Sequence, residues 1–404
     1  MGNSTEERLP LLGEPDGSDL KKRVWNESKK LWKIAFPGMV ARVTSFGMIV
    51  VTQLFLGHVS ELISQRMAYS RAFCYGLQMA YCHGIEESID FCFLFYMSCH
   101  LCDLPNIHKI VGWFSASSFV VHVFLSWLFV MKLGFGLAGA MSAFIISSYL
   151  LVIGEFVYIF GGWCPNTWKG FTKAAFADMF PLIKLSISSG IMICLELWYS
   201  SILVLLAGYM KNATVAISAF SICLNINAWE FMICLGFLGS SCVRVSNELG
   251  SGNAKAAKFS IMVALGTSII IGVIFWILCL IFSREISYLF TSSEEVAESV
   301  SSLHVLLAFS MLLNSVYPVL SGVAIGAGVQ STVAYVNLGS YYAIGVPVGI
   351  LLGYVAHLQV TGLWIGLLSG VVVQTLLLSY LTWKIDWNEQ VNKASERLAR
   401  FFIE

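Results

Sequence analysis

The chain has 404 residues, 57% of them hydrophobic and 12% charged, with a formal net charge of +0. A soluble domain carries about 25% charged residues, so this composition excludes an ordinary soluble enzyme, and the neutral balance gives no pull toward nucleic acid. Apolar runs of about 20 residues mark membrane-spanning helices. The runs here do not alternate as barrel strands do, so an all-α, polytopic membrane protein is predicted.

In chain order, residues 1–30 read as a polar cytosolic tail without the apolar stretch of a secretory signal. Within it, Glu7, Leu11 and Leu12 fit an acidic dileucine sorting pattern. Spans are predicted at 35–57, 111–132, 137–160, 179–210, 213–242, 258–283, 300–326, 331–355 and 360–383. Residues 161–176 form a linker, and 384–404 an amphipathic helix at the membrane surface. Basic residues gather in the N-terminal tail, in 161–176, in 243–258 (Arg244, Lys255, Lys258) and in the C-terminal tail, whereas 284–299 carries Glu285, Glu294, Glu295 and Glu298. The positive-inside rule puts both termini in the cytosol, which requires an even number of crossings. A tenth span is therefore expected in 66–108, at 91–101. That region also holds Cys99, Cys102 and His108, but a second cysteine pair is missing and the flanks are apolar, so no metal site is predicted.

The loop CVRVSNELGSGNAKAAKF (242–259) is the most polar stretch of the second half. Arg244 and Glu248 stand four apart on a helix end and can pair. Gly250 and Gly252 allow positive φ, and Asn253 can cap the next helix. This reads as a cytosolic connection between two helices. The string is also similar to the signature of the plant MATE (multidrug and toxic compound extrusion) transporters. So are KLSISSGIMICLELWYSSILVLLAGYMKN (184–212), SICLNINAWEFMICLGFLGSS (221–241), LLNSVYPVLSGVAIGAGVQSTVAYVNLGSYYAIGVPVG (312–349) and RVWNESKKLWKIAFPGMVARVTSFGMIVVTQLFLGHVSEL (23–62). The resemblance covers about 23–65 and 110–400. It implies two helix bundles, an incomplete first one at 31–160 and a six-helix second one at 177–383. About ten spanning helices are expected where the family has twelve. It also gives Arg244, Asn247, Glu248, Gly250 and Gly252 a gating or structural role at the cytosolic face. Residues 66–108 do not resemble the family, which fits an altered splice product partly read in another frame.

An ionisable residue inside a span is costly and marks function by default. Glu196, in MICLELWYSS, is the first candidate, and Glu230, in NAWEFM, the second. A carboxyl there can alternate between holding a proton and releasing it as solute binds. Asn225 and Asn227 either donate to a solute or link helices, and Asn314 stands where some relatives carry Asp. Glu155 and Gln53 are weaker candidates. Trp198, Tyr199, Trp229, Tyr317, Tyr341 and Tyr342 either wall a cavity for flat or cationic solutes or pack the bundle. Pro318 and Pro347 permit kinks inside spans. The cysteines inside apolar runs (Cys194, Cys223, Cys234, Cys279) read as small buried hydrophobes.

These readings imply a monomeric antiporter in the vacuolar or plasma membrane, exchanging H⁺ rather than Na⁺ for an organic solute such as a flavonoid conjugate, alkaloid or xenobiotic. No cofactor, metal or nucleic-acid partner is expected. The alternative is a truncated isoform that does not transport and instead regulates a full-length relative.

Overall fold

The longest helix, α1, runs from Gly17 to Val59 through Pro37 and exceeds what a bilayer needs. Its 43 residues would measure about 65 Å against a hydrocarbon layer of roughly 30 Å. The computed structural model describes residues 17–59, 104–161, 163, 195, 198–210, 213–291 and 293–403. The dileucine pattern, the expected span at 91–101, Cys99, Cys102, Glu196 and most of the 161–176 linker lie outside these residues.

After α1 come α2 (Leu104–Ser126), which continues as a π-helical turn over Trp127–Lys132, and α3 (Gly136–Phe160). These three helices pack on one another as the described part of a first bundle. A short apolar helix, α4 (Trp198–Ala207), then opens the second bundle. It is followed by α5 (Ala213–Gly250) and α6 (Ala254–Ile281). The short α7 (Ser283–Phe290) and α8 (Glu294–Ser302) precede α9 (His304–Asn314) and α10 (Tyr317–Gly326). The bundle closes with α11 (Gln330–Val355) and α12 (Gln359–Lys384), and α13 (Trp387–Ile403) follows.

Among the described residues, eight helical stretches are long and apolar enough to cross a membrane. They coincide with eight of the nine spans read from hydropathy. The ninth, 179–210, falls mostly outside the described residues, with α4 as its described end. Large apolar side chains such as Trp113, Val120, Phe124, Ile270, Ile274 and Leu376 stand exposed on these helices, as expected where the surrounding solvent is lipid. The molecule is an all-helical, polytopic integral membrane protein.

The second bundle is organised around α5. Its core joins Phe220, Cys223 and Ile226 of α5 to Leu307 and Met311 of α9 and to Leu363 and Trp364 of α12. Small residues bring backbones close: a Cβ on Gly322 of α10 would collide with the Leu238 carbonyl of α5. The spanning stretch His304–Gly326 breaks between Asn314 and Tyr317. Pro318 sits in the first turn of α10, where its missing N–H costs no intrahelical bond. Pro347 sits between two π-helical stretches of α11, Gly339–Gly345 and Leu351–Val355. Such wide turns leave the helix locally irregular, a feature common near functional sites.

A second core crosses between the bundles. Leu31, Ala35 and Met39 of α1 meet Phe237, Val245 and Leu249 of α5, Ala257 and Ile261 of α6, and Trp387 of α13. The start of α1, the 243–258 loop and the start of α13 therefore lie on one side of the membrane.

Close helix contact yields two substitutions of opposite sign. Gly322→Ala drives a methyl group into backbone and should cost about 1–3 kcal/mol. Gly266→Ala, on α6 with nothing within 4 Å of the new Cβ, should be neutral or gain up to about 1 kcal/mol of helix stability. Thermal unfolding of the detergent-solubilised chain should show the first midpoint fall and the second hold or rise.

Candidate functional site

Glu230 lies on α5 with 1% of its surface exposed. It stands roughly 21 Å along the helix axis from Arg244, deep in the span. One carboxyl oxygen, Oε1, accepts from the Cys234 thiol at 2.9 Å. The other, Oε2, accepts from Asn314 Nδ2 at 3.1 Å. The same amide nitrogen donates to Asn227 Oδ1 at 3.0 Å. Asn227, Glu230 and Cys234 fall on one face of α5 by their three- and four-residue spacing. Asn314 reaches them because it is the last residue of α9, at the break before α10. The result is a buried carboxyl held by a thiol and an amide, with a second amide behind it.

The other candidates divide between this cluster and its surroundings. Trp229 packs edge-on against Phe46 of α1, ring centroids 5.1 Å apart, and so lies between the bundles beside Glu230. Tyr317 is buried and stacks on Phe231 at 5.5 Å. Asn225 points back to its own helix, Nδ2 donating to the Ser221 carbonyl at 3.0 Å. Tyr199 and Tyr341 are both buried and stack face to face at 4.6 Å. The Tyr341 hydroxyl donates to Gln374 Oε1 at 2.7 Å, and that of Tyr342 to the Leu195 carbonyl at 2.7 Å. These contacts join α4, α11 and α12. Trp198 is 41% exposed. Glu155 lies on α3 in the first bundle. The side chain of Gln53, like the whole of Glu196, is outside the described residues.

Sequence reasoning missed Cys234 as a polar partner. Its position four residues after Glu230 was the available signal, because a thiol one turn from a buried carboxyl can donate to it.

At the C-terminal end of α5, Arg244 pairs with Glu248, Nη2 to Oε1 at 2.5 Å. It also pairs with Glu27 of α1, to whose Oε1 Nε and Nη2 donate at 2.8 and 2.7 Å. Arg244 and Glu27 are both buried. Lys30 flanks Glu27 at 3.7 Å and is largely exposed. Asn247 is exposed and takes no part in the cluster through its side chain. Gly250 ends α5 as a helical residue, and Gly252 takes φ +80°. Asn253 Oδ1 accepts from the Ala256 amide at 2.9 Å and caps α6. Since Glu27 is nearly enclosed, Arg244→Met leaves a buried carboxylate without its cation and should cost about 3–5 kcal/mol. Lys30→Met, at the exposed rim, should cost less than about 1 kcal/mol. Thermal unfolding of the two variants in detergent checks the contrast.

Comparison with known proteins agrees with this architecture. The MatE family model matches residues 189–351. DETOXIFICATION 24 of Arabidopsis thaliana is 44% identical over 448 residues, covering 94% of this chain and 90% of its own. DETOXIFICATION 20 of the same plant is 41% identical over 475 residues, covering 100% and 96%. Both alignments are longer than the 404 residues of this chain, so those relatives carry internal residues that it lacks. Among solved structures, the eukaryotic MATE transporter AtDTX14 superposes with a TM-score of 0.78 at 27% identity, over 93% of this chain and 99% of that one. A transporter of the MOP superfamily from Pyrococcus furiosus shares the fold, with a TM-score of 0.70 at 13% identity over 91% and 96%. The chain belongs to the MATE family of membrane transporters, in the group of the plant DETOXIFICATION proteins.

Proposed function

We propose that the chain is a secondary antiporter that exports or sequesters organic solutes in exchange for protons, with Glu230 as a coupling carboxyl. The observation that carries this reading is the enclosure of Glu230 in the span, held by Cys234 and Asn314. An ionisable group at such a place is retained against a large desolvation cost. Neutralising it with a proton removes that cost. Rearranging its two donors exposes a carboxylate that a cationic or hydrogen-bonding solute can meet. Glu196, the other coupling candidate, is one predicted helix earlier and would act in the same way.

The donor set favours H⁺ over Na⁺. A hard cation needs several oxygen lone pairs directed at it. Here both carboxyl oxygens already receive hydrogens, from a thiol and an amide. A proton needs one oxygen and can be accommodated by turning one donor away. An organic solute is supported by family membership and by the aromatic pair Trp229 and Phe46 beside the carboxyl. Flat flavonoid conjugates, alkaloids and xenobiotics fit it, and the vacuolar or plasma membrane would be the site of action of a monomer.

A second reading has its own support. The relatives carry internal residues absent from this chain, and rocking two bundles about a central cavity needs both to be complete. Under that reading the chain regulates a full-length relative and does not transport.

Efflux of ethidium from proteoliposomes under an imposed pH gradient separates the two. Under the antiporter reading, the chain moves the dye and Glu230→Gln, which removes an ionisable group from the span, strongly lowers the pH-driven rate. Unaltered pH-driven efflux in Glu230→Gln would remove Glu230 from the mechanism. No efflux from the unaltered chain, together with its capture by a full-length DETOXIFICATION relative in the same membrane, would favour the regulatory reading.

A further inference from the structure

A second titratable side chain is sealed inside the membrane, in the first bundle and separate from the Glu230 cluster. His122 lies on α2 with 0% of its surface exposed. Its Nε2 is 3.0 Å from the Met48 carbonyl oxygen of α1, 3.1 Å from Thr52 Oγ1 and 3.4 Å from Ser126 Oγ. A carbonyl oxygen only accepts, so Nε2 carries a hydrogen. In the neutral ring that leaves the lone pair on Nδ1. Nδ1 is buried and makes no hydrogen bond. The Ala143 carbonyl of α3 lies close to the ring, and its oxygen already accepts from Ser147 Oγ at 2.7 Å and has a second lone pair. The Phe144 ring of α3 closes the remaining side, edge-on at 5.8 Å.

In the neutral ring the Nδ1 lone pair therefore meets no hydrogen-bond donor. With one proton added at Nδ1 both ring nitrogens are donors, Nε2 to the Met48 carbonyl and Nδ1 to whichever acceptor it reaches, of which the Ala143 carbonyl has a free lone pair. Among the described residues, the groups facing the ring are Thr52 and Met48 from α1, Ser126 from α2 itself, and Ala143 and Phe144 from α3, none of them charged. Arg42 of α1 and Glu155 of α3 stand about 15 Å along their helices from Thr52 and Phe144.

We propose that His122 is a proton-binding site of the first bundle, taking its proton on Nδ1 and tying α1 to α3 through the two backbone carbonyls when charged. Because the ring is fully enclosed, the proton enters and leaves only when these helices part, which links the charge of the ring to bundle motion. The role is independent of Glu230 and of any transported solute.

The test is histidine ring-carbon NMR of the full chain in lipid nanodiscs, combined with dye efflux. One ring signal, absent from His122→Gln, should shift with pH. A variant in which the other histidines are replaced by glutamine should retain that signal, which secures the assignment if His122→Gln folds poorly. In His122→Gln, the pH profile of ethidium efflux should flatten across the interval in which the signal moves. A signal assigned to His122 that stays fixed while exposed histidines titrate would overturn the proposal. So would a His122→Gln pH profile that superimposes on that of the unaltered chain. The NMR readout needs no transport, so failure of the antiporter reading and failure of this one remain distinguishable.

Discussion

The contact between α1 and α5 is the constraint on which the arrangement of both bundles depends. It begins near the C-terminal end of α5 with Glu27 and Arg244. It continues through the edge-on pair of Trp32 and Phe237, ring centroids 5.5 Å apart. At Gly236 a Cβ would press into Met39 and the Ala35 carbonyl. The seam reaches Phe46 and Trp229, and Glu230 is the next residue along α5. The carboxyl thus sits where the inter-bundle seam meets the interior of the second bundle, so relative movement of the bundles acts on its surroundings directly. The two halves of the seam are held by different physics. The end at Glu27 and Arg244 is ionic, while the part toward Trp229 is aromatic and close-packed.

Lipid supplies no hydrogen bonds, so polar side chains inside the spans must find partners within the protein. Gln374, fully buried on α12, illustrates this. It accepts from Tyr341 and donates to Asn337 Oδ1 at 2.8 Å. Trp364 donates to Ser310 Oγ at 3.2 Å in the same way. These groups are satisfied and hold α9, α11 and α12 in register. Glu230 and His122 differ from them because each can change its number of protons, and so its hydrogen-bonding needs, without the fold changing. That distinction separates polar residues that fasten the bundle from those able to respond to it.

How much of this was legible beforehand follows from the range of each signal. Hydropathy is local, and it placed eight of the spans. The pairing of Arg244 with Glu248 and the cap at Asn253 are local as well, and i,i+4 spacing and cap chemistry point to them. Glu27 was invisible as the second partner of Arg244 because it lies on another helix far along the chain. Asn227, Glu230 and Asn314 each stood out singly, but nothing in their spacing says that the break after Asn314 brings all three together. The tyrosines carried two readings, and only the packing of α4 against α11 shows Tyr199 and Tyr341 stacked. His122 passed unnoticed inside VVHVFLSW, although a lone histidine in an apolar span carries the same warning as Glu196 or Glu230.

α1 and α5 are longer than a bilayer needs, which has a consequence for the ionic end of the seam. Charges exposed there are screened over about 8 Å at physiological ionic strength, but enclosed ones much less. Glu27 and Arg244 keep only about a tenth of their side-chain surface exposed. Their attraction should therefore be nearly indifferent to added salt. Lys30, 59% exposed at the rim, contributes a component that salt removes. The inter-bundle contact is thus insulated from fluctuations in ionic strength, and a change that opens it has to come from movement of the helices themselves.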